Sequence, residues 1–386
     1  MTDHGKNSED LPLAGVRVVD FTSALSGPYA TQTLGDMGAE IVKVERPGGD
    51  DSRRWGPPFV GSTASYFLSI NRNKRSIALD LKSDEGRRTA LDLIRRADVV
   101  IENFRPGVAS RLGIDYAVTQ QINPLAVYCS ISGYGATLPS SPGYDQVVQA
   151  TSGWMSLTGF PESEPLRTGV PVGDVATGMS AVQAILAALY RRTRTGAGAY
   201  VDIAMQDTLV SMLAYQAGRY FATGTSPERT GNSHPTVAPY GVFRTVDGSV
   251  ILAVGNDPQF ARLTSAIGLP GLAEDPRFSA NQSRAEHRSE LSEILEEALG
   301  RLRTEQVLQL LSEAGVPAGR INELEQVLES EASRARNLVL DLETPEGEPF
   351  RSPGGFWHID GMTAAVRRDP PALDEHGDEI RAELSE

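Results

Sequence analysis

The stretch VRVVDFTSALSGPYATQTLGDMGAEIVKVE, residues 16–45, predicts the fold. It starts with a β-rich run at 16–21, turns at 26–28, continues as a helical pattern over 29–37 and ends in a second β-rich run at 41–45. A strand, a helix and a strand within about thirty residues form a βαβ unit, whose crossover is almost always right-handed. The stretch therefore predicts a parallel sheet in an α/β domain.

The alternation of β-rich and helical patterns continues downstream. Residues 76–81, 99–102 and 125–132 are predicted strands, and residues 83–97 form an amphipathic helical pattern between the first two. The loop at residues 22–27 lacks the G-x-G-x-x-G pattern through which a dinucleotide pyrophosphate approaches a helix N-terminus. The sequence thus predicts a Rossmann-like sheet without a nicotinamide cofactor.

The composition changes in the middle of the chain. Two clusters of Gly, Ser, Thr, Asn and Pro, at 223–227 and 231–235, precede a hairpin pattern and three helical patterns. We therefore predict an α/β protein with two domains. They are a Rossmann-like large domain at 11–222, completed by the C-terminal segment 326–386, and a small α+β domain at 226–325.

The charge of the chain limits its ligands. The 386 residues carry a formal net charge of −14, which argues against a nucleic-acid-binding protein. Between Lys43 and Arg111, however, 14 Lys and Arg stand against 9 Asp and Glu. Solvated helix surfaces, such as the one that carries Arg87 and Arg88, account for part of this excess. A basic segment on an acidic protein favours a polyphosphorylated small molecule as the ligand.

The cysteine and histidine content bounds redox and metal chemistry. The single cysteine, Cys129, excludes a disulfide within the chain, and its β-rich surroundings favour an inert core thiol. Five scattered histidines predict no metal site. The first ten residues are polar, and polar residues interrupt the apolar runs, so we expect a cytoplasmic protein that does not enter a membrane.

The candidate reactive group lies in PVGDVATG, residues 171–178, where an irregular segment meets a long apolar run. An aspartate at this place, Asp174, is either a helix cap or a nucleophile. The two roles are compatible, because N–H donors at a helix N-terminus would keep a sheltered carboxylate ionised. The sequence contains no G-x-S-x-G elbow, P-loop or H-E-x-x-H motif, which leaves Asp174 as the best candidate nucleophile.

Eight short motifs follow one another within residues 13–360. They are DFT at 20–22 with GP at 27–28, GAEIVKVE at 38–45, NKRS at 73–76, ENFRPG at 102–107, GYD at 143–145, GD at 173–174, DPRF at 275–278 and GVPAG at 315–319. In this order the chain resembles class III CoA-transferases of the CaiB/BaiF type. That family includes formyl-CoA, carnitine-CoA and succinyl-CoA-dependent transferases, together with the 2-methylacyl-CoA racemases.

The resemblance implies that Asp174 is the acyl acceptor. In such enzymes the carboxylate attacks an acyl-CoA thioester to form a mixed anhydride, CoA thiolate returns to give an aspartyl-CoA thioester, and an acceptor acid then takes over the CoA. It also implies that coenzyme A is a substrate and not a tightly bound cofactor, and that the protein is an interlocked homodimer. The CoA contacts that carry over by motif are Ala24, Leu25, Arg46, Leu79, Lys82, Asn103, Phe104 and Arg111.

Tyr144 separates the two chemistries of the family. The racemases have a histidine thirty residues before the catalytic aspartate, which supplies the second base. This chain has Tyr144 there, which we count with the CoA-binding residues, and a tyrosine with a pKa near ~10 is a poor base at neutral pH. The resemblance therefore favours a transferase, with a racemase-like enzyme or a catalytically silent CoA-binding protein as alternatives.

The substrate acids are less clearly indicated. The chain lacks the run of glycines that formyl-CoA:oxalate transferases carry after the Gly-Asn motif, here Gly231-Asn232. The segments 239–240 and 255–257 look more like those of transferases that use succinyl-CoA and dicarboxylates. Arg167 and His234 are the candidates to bind a substrate carboxylate.

Overall fold

The computed structural model describes residues 10–136 and 143–386. Most strands fall in two sheets, one parallel and one antiparallel, and the others form short two-stranded pairs. The strands are β1 (Arg17–Asp20), β2 (Glu40–Glu45), β3 (Phe59–Val60), β4 (Thr63–Ala64), β5 (Lys74–Ala78), β6 (Val99–Glu102), β7 (Val127–Ser132), β8 (Ala199–Ala204), β9 (Tyr240–Thr245), β10 (Gly248–Ala253), β11 (Ala318–Arg320), β12 (Val339–Glu343), β13 (Pro349–Pro353), β14 (His358–Ile359) and β15 (Met362–Thr363).

Helices alternate with the strands of the parallel sheet and then dominate the segment after β10. Two short 3-10 helices, Asp51–Arg54 and Pro270–Ala273, accompany them. The α-helices are α1 (Ser26–Asp36), α2 (Ser65–Leu68), α3 (Asp84–Arg95), α4 (Val108–Leu112), α5 (Tyr116–Ile122), α6 (Asp145–Thr151), α7 (Trp154–Leu157), α8 (Val172–Thr195), α9 (Met205–Ser211), α10 (Ala214–Thr223), α11 (Asp257–Ala266), α12 (Asn281–Glu286), α13 (Arg288–Leu299), α14 (Thr304–Glu313), α15 (Leu324–Leu328), α16 (Glu331–Ala335) and α17 (Gly377–Ser385).

The main sheet has six parallel strands in the order β5-β2-β1-β6-β7-β8. Its strands are short and almost wholly apolar at the centre, as expected when helices cover both faces of a sheet. The predicted α/β class and parallel sheet are confirmed. The chain builds the sheet outward in one direction from β1 to β5 and in the other direction from β6 to β8. Ligands of open α/β sheets usually bind at the carboxyl ends of the two strands between which this change occurs, here β1 and β6.

Side chains of neighbouring residues on a strand point to opposite faces of the sheet and build two cores. Val18 and Cys129 pack on one face with α1 and α8, whereas Val19 and Tyr128 pack on the other face with α3. Cys129 is fully buried, and burial raises the pKa of its thiol, which agrees with the predicted inert core thiol.

Helix α8, with 24 residues, is the longest helix of the described chain, and it packs along one face of the parallel sheet. By length and composition alone it could cross a membrane, although the sequence predicted no run of that kind. Ala181 and Ile185 are fully buried in the core against the sheet, which is typical of a core helix. At its C-terminal end, Arg192 donates to Asp98 Oδ1 at 2.9 Å, just before β6 begins.

The described residues divide into two compact units, 10–136 and 143–155 with 167–225 and 330–386, and 156–166 with 226–329. The second unit contains the antiparallel sheet β11-β10-β9 and its own core. The predicted division assigned residues 156–166 to the large domain. They belong with the second unit because the Gly231 N–H bonds the Gly159 carbonyl and Arg229 donates to backbone carbonyls of Phe160 and Ser163.

Candidate functional site

A cavity of about 490 Å³ opens at the carboxyl edge of the parallel sheet. Its walls are the loops that follow β1, β6 and β7, together with the start of α8. This is the edge at which open α/β sheets bind ligands. The lining residues with polar or aromatic side chains include Ser23, Ser26, Asp50, Trp55, Tyr66, Asn103, Phe104, Arg105, Tyr144, Asp145 and Asp174.

Asp174 lies inside the first turn of α8 and does not cap it. The Asp145 carboxylate caps the helix instead, because its Oδ1 accepts the backbone N–H groups of Gly173 at 2.7 Å and Asp174 at 3.2 Å. The glycine at 173 permits this contact, since a Cβ there would lie 2.8 Å from Asp145 Oδ1. Of the two roles that the sequence left open for Asp174, the structure therefore assigns the helix cap to Asp145.

The environment of Asp174 favours its protonated form. Burial, followed by the negative charge of Asp145, raises the pKa of Asp174 to about 7, and hydrogen bonding from Ser26 lowers it only in part. The sequence predicted that helix N–H donors would keep this carboxylate ionised. That prediction is wrong because the donors bond Asp145.

The raised pKa predicts the pH dependence of any reaction in which Asp174 is the nucleophile. Only the carboxylate can attack, and the group loses its proton as the pH rises through about 7. Transfer at saturating substrate is therefore expected to fall about tenfold for each unit of pH well below 7 and to level off above it. Single-turnover rates between pH 5 and 9 measure this, and a flat profile down to pH 5 would contradict it.

Ser26 reaches Asp174 because α1 and α8 approach closely at a glycine. A Cβ at Gly178 would lie 2.6 Å from the Ser26 backbone oxygen and 3.0 Å from Tyr29 Cδ1. No side chain fits in that space, so Gly178 brings the N-terminal turns of the two helices together. The neighbouring pair Gly133 and Gly143 allows a similar backbone crossing beside Tyr144, where a Cβ on either glycine would lie within 2.6 Å of the other's Cα.

Substitution of Gly178 by alanine tests this close approach. The Cβ would meet a backbone atom, so α1 must shift, at a cost of about 1–3 kcal/mol of the free energy of unfolding. A shift of about 1 Å at a reacting group costs about 100-fold in rate. Urea unfolding and transfer assays of Gly178→Ala measure both effects. Gly271→Ala is the control, because a Cβ there meets nothing within 4 Å, and equal losses in the two variants would refute the packing argument.

A second cavity of about 290 Å³ adjoins the first. The two share Ser23, Asp50 and Phe104 in their walls, and the second continues past Arg46 and Lys82. The structure thus brings most of the predicted CoA contacts to two adjoining cavities. Ala24, Asn103, Phe104 and Tyr144 line the first, and Arg46, Leu79, Lys82 and Phe104 line the second.

The basic side chains in the walls of these cavities differ in whether a carboxylate neutralises them. Arg46 forms an ion pair with Asp51, whereas Lys82 and Arg105 have no carboxylate partner among the described residues. Both are exposed at the cavity walls. In the walls of the two cavities, these two side chains are therefore available to an anionic ligand.

Two buried charged side chains, Lys43 and Asp50, form hydrogen bonds to the backbone of the loop between β1 and α1. Lys43 is fully buried, and its Nζ donates to the Thr22 carbonyl at 2.9 Å and to Asp50 Oδ2 at 3.0 Å. Asp50 Oδ1 accepts the Ala24 N–H at 3.3 Å, and Ala24 has a φ of 67°, a conformation that a non-glycine residue rarely adopts. Burial raises the pKa of Asp50, but Lys43 and the Ser52 bonds outweigh it, so Asp50 remains ionised.

Four predicted site residues lie elsewhere than in these two cavities. Leu25 is buried at the start of α1, and exposed Arg111 lies on α4. Arg167 is exposed and donates to the carbonyls of Thr168 and Gly169. His234 belongs to the second unit, where its Nδ1 accepts local backbone N–H groups and its ring lies 5.1 Å from that of Tyr240. The positions of these four residues therefore give no support for a direct contact with a ligand in either cavity.

Seven of the polar or aromatic side chains that line the first cavity were not predicted as site residues: Ser23, Ser26, Asp50, Trp55, Tyr66, Arg105 and Asp145. Ser26 and Asp145 have the contacts described above, and both lie within motifs already recognised, so their spacing relative to Gly27 and Tyr144 was available. Tyr66 and Trp55 form an edge-to-face aromatic pair with ring centres 5.2 Å apart. Burial raises the pKa of Tyr66, and the nearby charge of Asp174 raises it further, so its hydroxyl remains a hydrogen-bond donor. No motif predicted that pair.

No group of three or more His, Cys, Asp or Glu within 10–136 and 143–386 could hold a metal ion. The described site presents several polar side chains that can take part in a reaction. A half-buried carboxylate, a tyrosine hydroxyl and a serine hydroxyl surround the point where α8 begins. Such a group suits nucleophilic acyl transfer, in which the carboxylate attacks and hydroxyl or amide donors stabilise the developing oxyanion.

The chain is similar to known proteins along almost its whole length. The family model described as CoA-transferase family III matches residues 13–377. The succinate–glutarate CoA-transferase of Agrobacterium fabrum is 42% identical over 384 residues, covering 97% of this chain and 96% of that protein. The human succinyl-CoA:glutarate CoA-transferase is 39% identical over 376 residues, covering 97% and 86%. The crystal structure of a CaiB/BaiF family protein from Brucella suis matches with a TM-score of 0.86 at 42% identity, covering 97% and 99%.

Proposed function

The chain belongs to CoA-transferase family III and is a CoA-transferase, and we propose that Asp174 is its covalent nucleophile. The observation that carries the proposal is the position of Asp174. It is a half-buried carboxylate in the wall of a cavity at the ligand-binding edge of the sheet, with its pKa raised to about 7. A carboxylate with that pKa is about half ionised at pH 7 and is a stronger base than an ordinary aspartate.

The proposed reaction proceeds through two mixed anhydrides. The Asp174 carboxylate attacks the thioester carbonyl, the C–O bond forms, and the C–S bond breaks with release of CoA thiolate. The thiolate attacks the aspartyl carbonyl, which releases the donor acid as a carboxylate and leaves an aspartyl-CoA thioester. The acceptor carboxylate then repeats the two steps in reverse order, so that CoA leaves on the acceptor and Asp174 is free again.

The adjoining cavities suit an acyl-CoA bound as an extended molecule. Lys82 at the far cavity would attract phosphates, and the shared wall at Ser23 and Phe104 would hold the pantetheine arm that leads toward Asp174. Arg105, which has no carboxylate partner in the described part of the chain, would attract the free carboxylate of a dicarboxylic acid in the first cavity. Arg167 and His234 remain candidates for that role.

The proposed donor is succinyl-CoA, and the proposed acceptor is a short dicarboxylic acid such as glutarate. The relatives from Agrobacterium fabrum and human, named above for succinate or succinyl-CoA and glutarate, support this choice. A panel of glutarate, succinate, oxalate and acetate as acceptors tests it. Faster transfer to acetate than to the longer dicarboxylates would overturn the substrate proposal while leaving the nucleophile untouched.

Trapping of the intermediate tests the nucleophile. The protein is incubated with succinyl-CoA and then with hydroxylamine, which converts an aspartyl thioester into a hydroxamate. Peptide mass spectrometry is expected to find the hydroxamate at Asp174. A hydroxamate at another residue, or none during active transfer, would refute the proposal. Deuterium uptake at C2 of a 2-methylacyl-CoA without a hydroxamate would indicate a racemase instead.

We also propose that the protein is a homodimer, interlocked as the family resemblance implies. Helix α10 supports this, because none of its residues is buried within the chain, and Phe221 on it is 80% exposed beside half-exposed Tyr220 and Tyr215. Sedimentation velocity is expected to give twice the chain mass, and a monomer at micromolar concentration would contradict the proposal.

A further inference from the structure

The first turn of a helix normally offers several unpaired N–H groups to a nearby anion. In α8 every one of them is used. Pro171 has no N–H, Val172 N donates to the Val170 carbonyl at 2.8 Å, and Val175 N makes the first bond of the helical ladder, to Pro171 at 3.0 Å. The two N–H groups between them, of Gly173 and Asp174, donate to Asp145. No first-turn donor of α8 is left for the Asp174 carboxylate.

Asp145 is itself held in place on its other side. Its Oδ2 accepts from Gln149 Nε2 at 2.7 Å, and Gln149, which is fully buried, accepts the Thr168 N–H on its Oε1 at 3.0 Å. Rotation of the Asp145 carboxylate would break bonds to α8 and to Gln149 together. The carboxylate is therefore fixed between the two helices that it joins.

We propose that Asp145 is a positioning residue that withholds the first-turn amides of α8 from Asp174 and places a like charge beside it, so that Asp174 remains basic enough to attack a thioester. This inference rests on the proposed function of Asp174. A carboxylate that accepts two or three backbone N–H bonds is strongly stabilised as an anion and is a correspondingly weak nucleophile. In this arrangement Asp145 accepts the amide hydrogen bonds, and Asp174 is left to react.

The other groups that face Asp174 do not replace Asp145 in this role. Ser26 donates to Asp174 and lowers its pKa, which acts against the charge of Asp145. Tyr66 faces Asp174 from α2 and carries no charge at neutral pH. Burial is the largest cause of the raised pKa of Asp174, and among the described residues Asp145 is the charged group that adds to it, since no Lys, Arg or His contributes.

The test is the pH profile of Asp174 acylation by succinyl-CoA, measured in single turnovers from pH 5 to 9. Asp145→Asn keeps an oxygen that can accept the two amides but removes the charge, and Asp145→Ser removes the charge and keeps a hydroxyl on a side chain that is one bond shorter. In both variants the midpoint of the profile is expected to move down by about one pH unit, and the plateau rate is expected to fall because the nucleophile is less basic. Asp115→Asn is the matched control, since Asp115 caps α5 through the Val118 N–H at 3.0 Å and lines neither cavity.

The outcomes separate this inference from the proposed function. If wild-type Asp174 is acylated and the profile of Asp145→Asn or Asp145→Ser matches the wild type, Asp145 only caps α8 and the inference is wrong. If wild-type Asp174 is never acylated, the proposed function itself is wrong. Loss of thermal stability without movement of the midpoint, as expected for Asp115→Asn, would likewise reduce Asp145 to a cap. A lowered midpoint in both Asp145 variants, with the control unchanged, supports the inference.

Discussion

Replacement of Asp174 by asparagine is expected to lower transfer from succinyl-CoA by on the order of 10⁴-fold or more, because no other group in the cavity replaces a covalent nucleophile. Asparagine matches aspartate in shape, so the cavity walls and the packing of α8 on α1 remain. Initial rates with saturating succinyl-CoA and glutarate measure the loss. Full activity in this variant would exclude the anhydride mechanism.

The same variant is expected to be more stable than the wild type at alkaline pH. The pKa of Asp174 is raised in the folded state from an ordinary value of 3.8 to about 7, so the folded protein resists a deprotonation that the unfolded chain allows. The destabilisation is absent below pH 4, grows between 4 and 7, and is complete above 7. At pH 8 we expect Asp174→Asn to gain about 1–3 kcal/mol in the free energy of unfolding, because one pKa unit corresponds to about 1.4 kcal/mol and the group is only half-buried.

Urea unfolding at pH 4.5 and pH 8 measures this gain. The gain should be clear at pH 8 and distinctly smaller at pH 4.5, because the pH has then risen only a little above the unfolded-state pKa of 3.8. Asp115→Asn, at the cap of α5, serves as the control and should not gain stability at pH 8. A difference between wild type and Asp174→Asn that does not depend on pH would show that the carboxyl titrates normally.

Replacement of Lys43 by methionine is expected to have the largest effect on stability. It removes the ammonium group that bonds Asp50 and the Thr22 carbonyl, and whose charge lowers the pKa of fully buried Asp20. Breaking a buried ion pair by removal of one partner costs about 3–5 kcal/mol, because the remaining charge stays unpaired away from water. Activity should fall as well, since Asp50 then no longer fixes the loop that leads to Ser26.

The comparison for this variant is Arg54→Met. Arg54 pairs with Asp51 at 3.0 Å, but both side chains are more than half exposed, and an exposed pair contributes about 0–1 kcal/mol. Urea unfolding of the two variants under the same conditions separates buried from exposed pairing. If Lys43→Met loses no more stability than Arg54→Met, the buried network does not support the loop in the way described.

Much of the fold could be predicted because its signals are local. The run from β1 through α1 to β2 carries its own βαβ pattern, and the ends of β6 are those that the sequence predicted. The assignment of residues 156–166 to the second unit could not be predicted, since it depends on hydrogen bonds from Arg229, about seventy residues away. Contacts over such distances leave no periodic pattern in a single sequence.

The site was predictable in its residues and not in its electrostatics. Asp174 was singled out from local sequence and from the family resemblance, and the structure places it in a cavity at the expected edge of the sheet. Its raised pKa was missed because it depends on which carboxylate accepts the α8 amides. Asp145 stands 29 positions earlier in the chain, and only the folded backbone shows that it reaches them.

The length of α8 determines which partner moves during the reaction. The helix has 24 residues, about 36 Å at 1.5 Å per residue, with Asp174 in its first turn and Arg192 fastened to Asp98 in its last. A carboxylate carried on such a rod cannot follow a substrate across the cavity. In the proposed reaction, the donor thioester, the returning CoA thiolate and the acceptor carboxylate must therefore each be brought to one fixed point, by motion of the substrates and of the loops around them. Donor and acceptor acids would therefore react at the same point. The contact between Arg192 and Asp98, at the opposite end of α8, helps to hold that point in place.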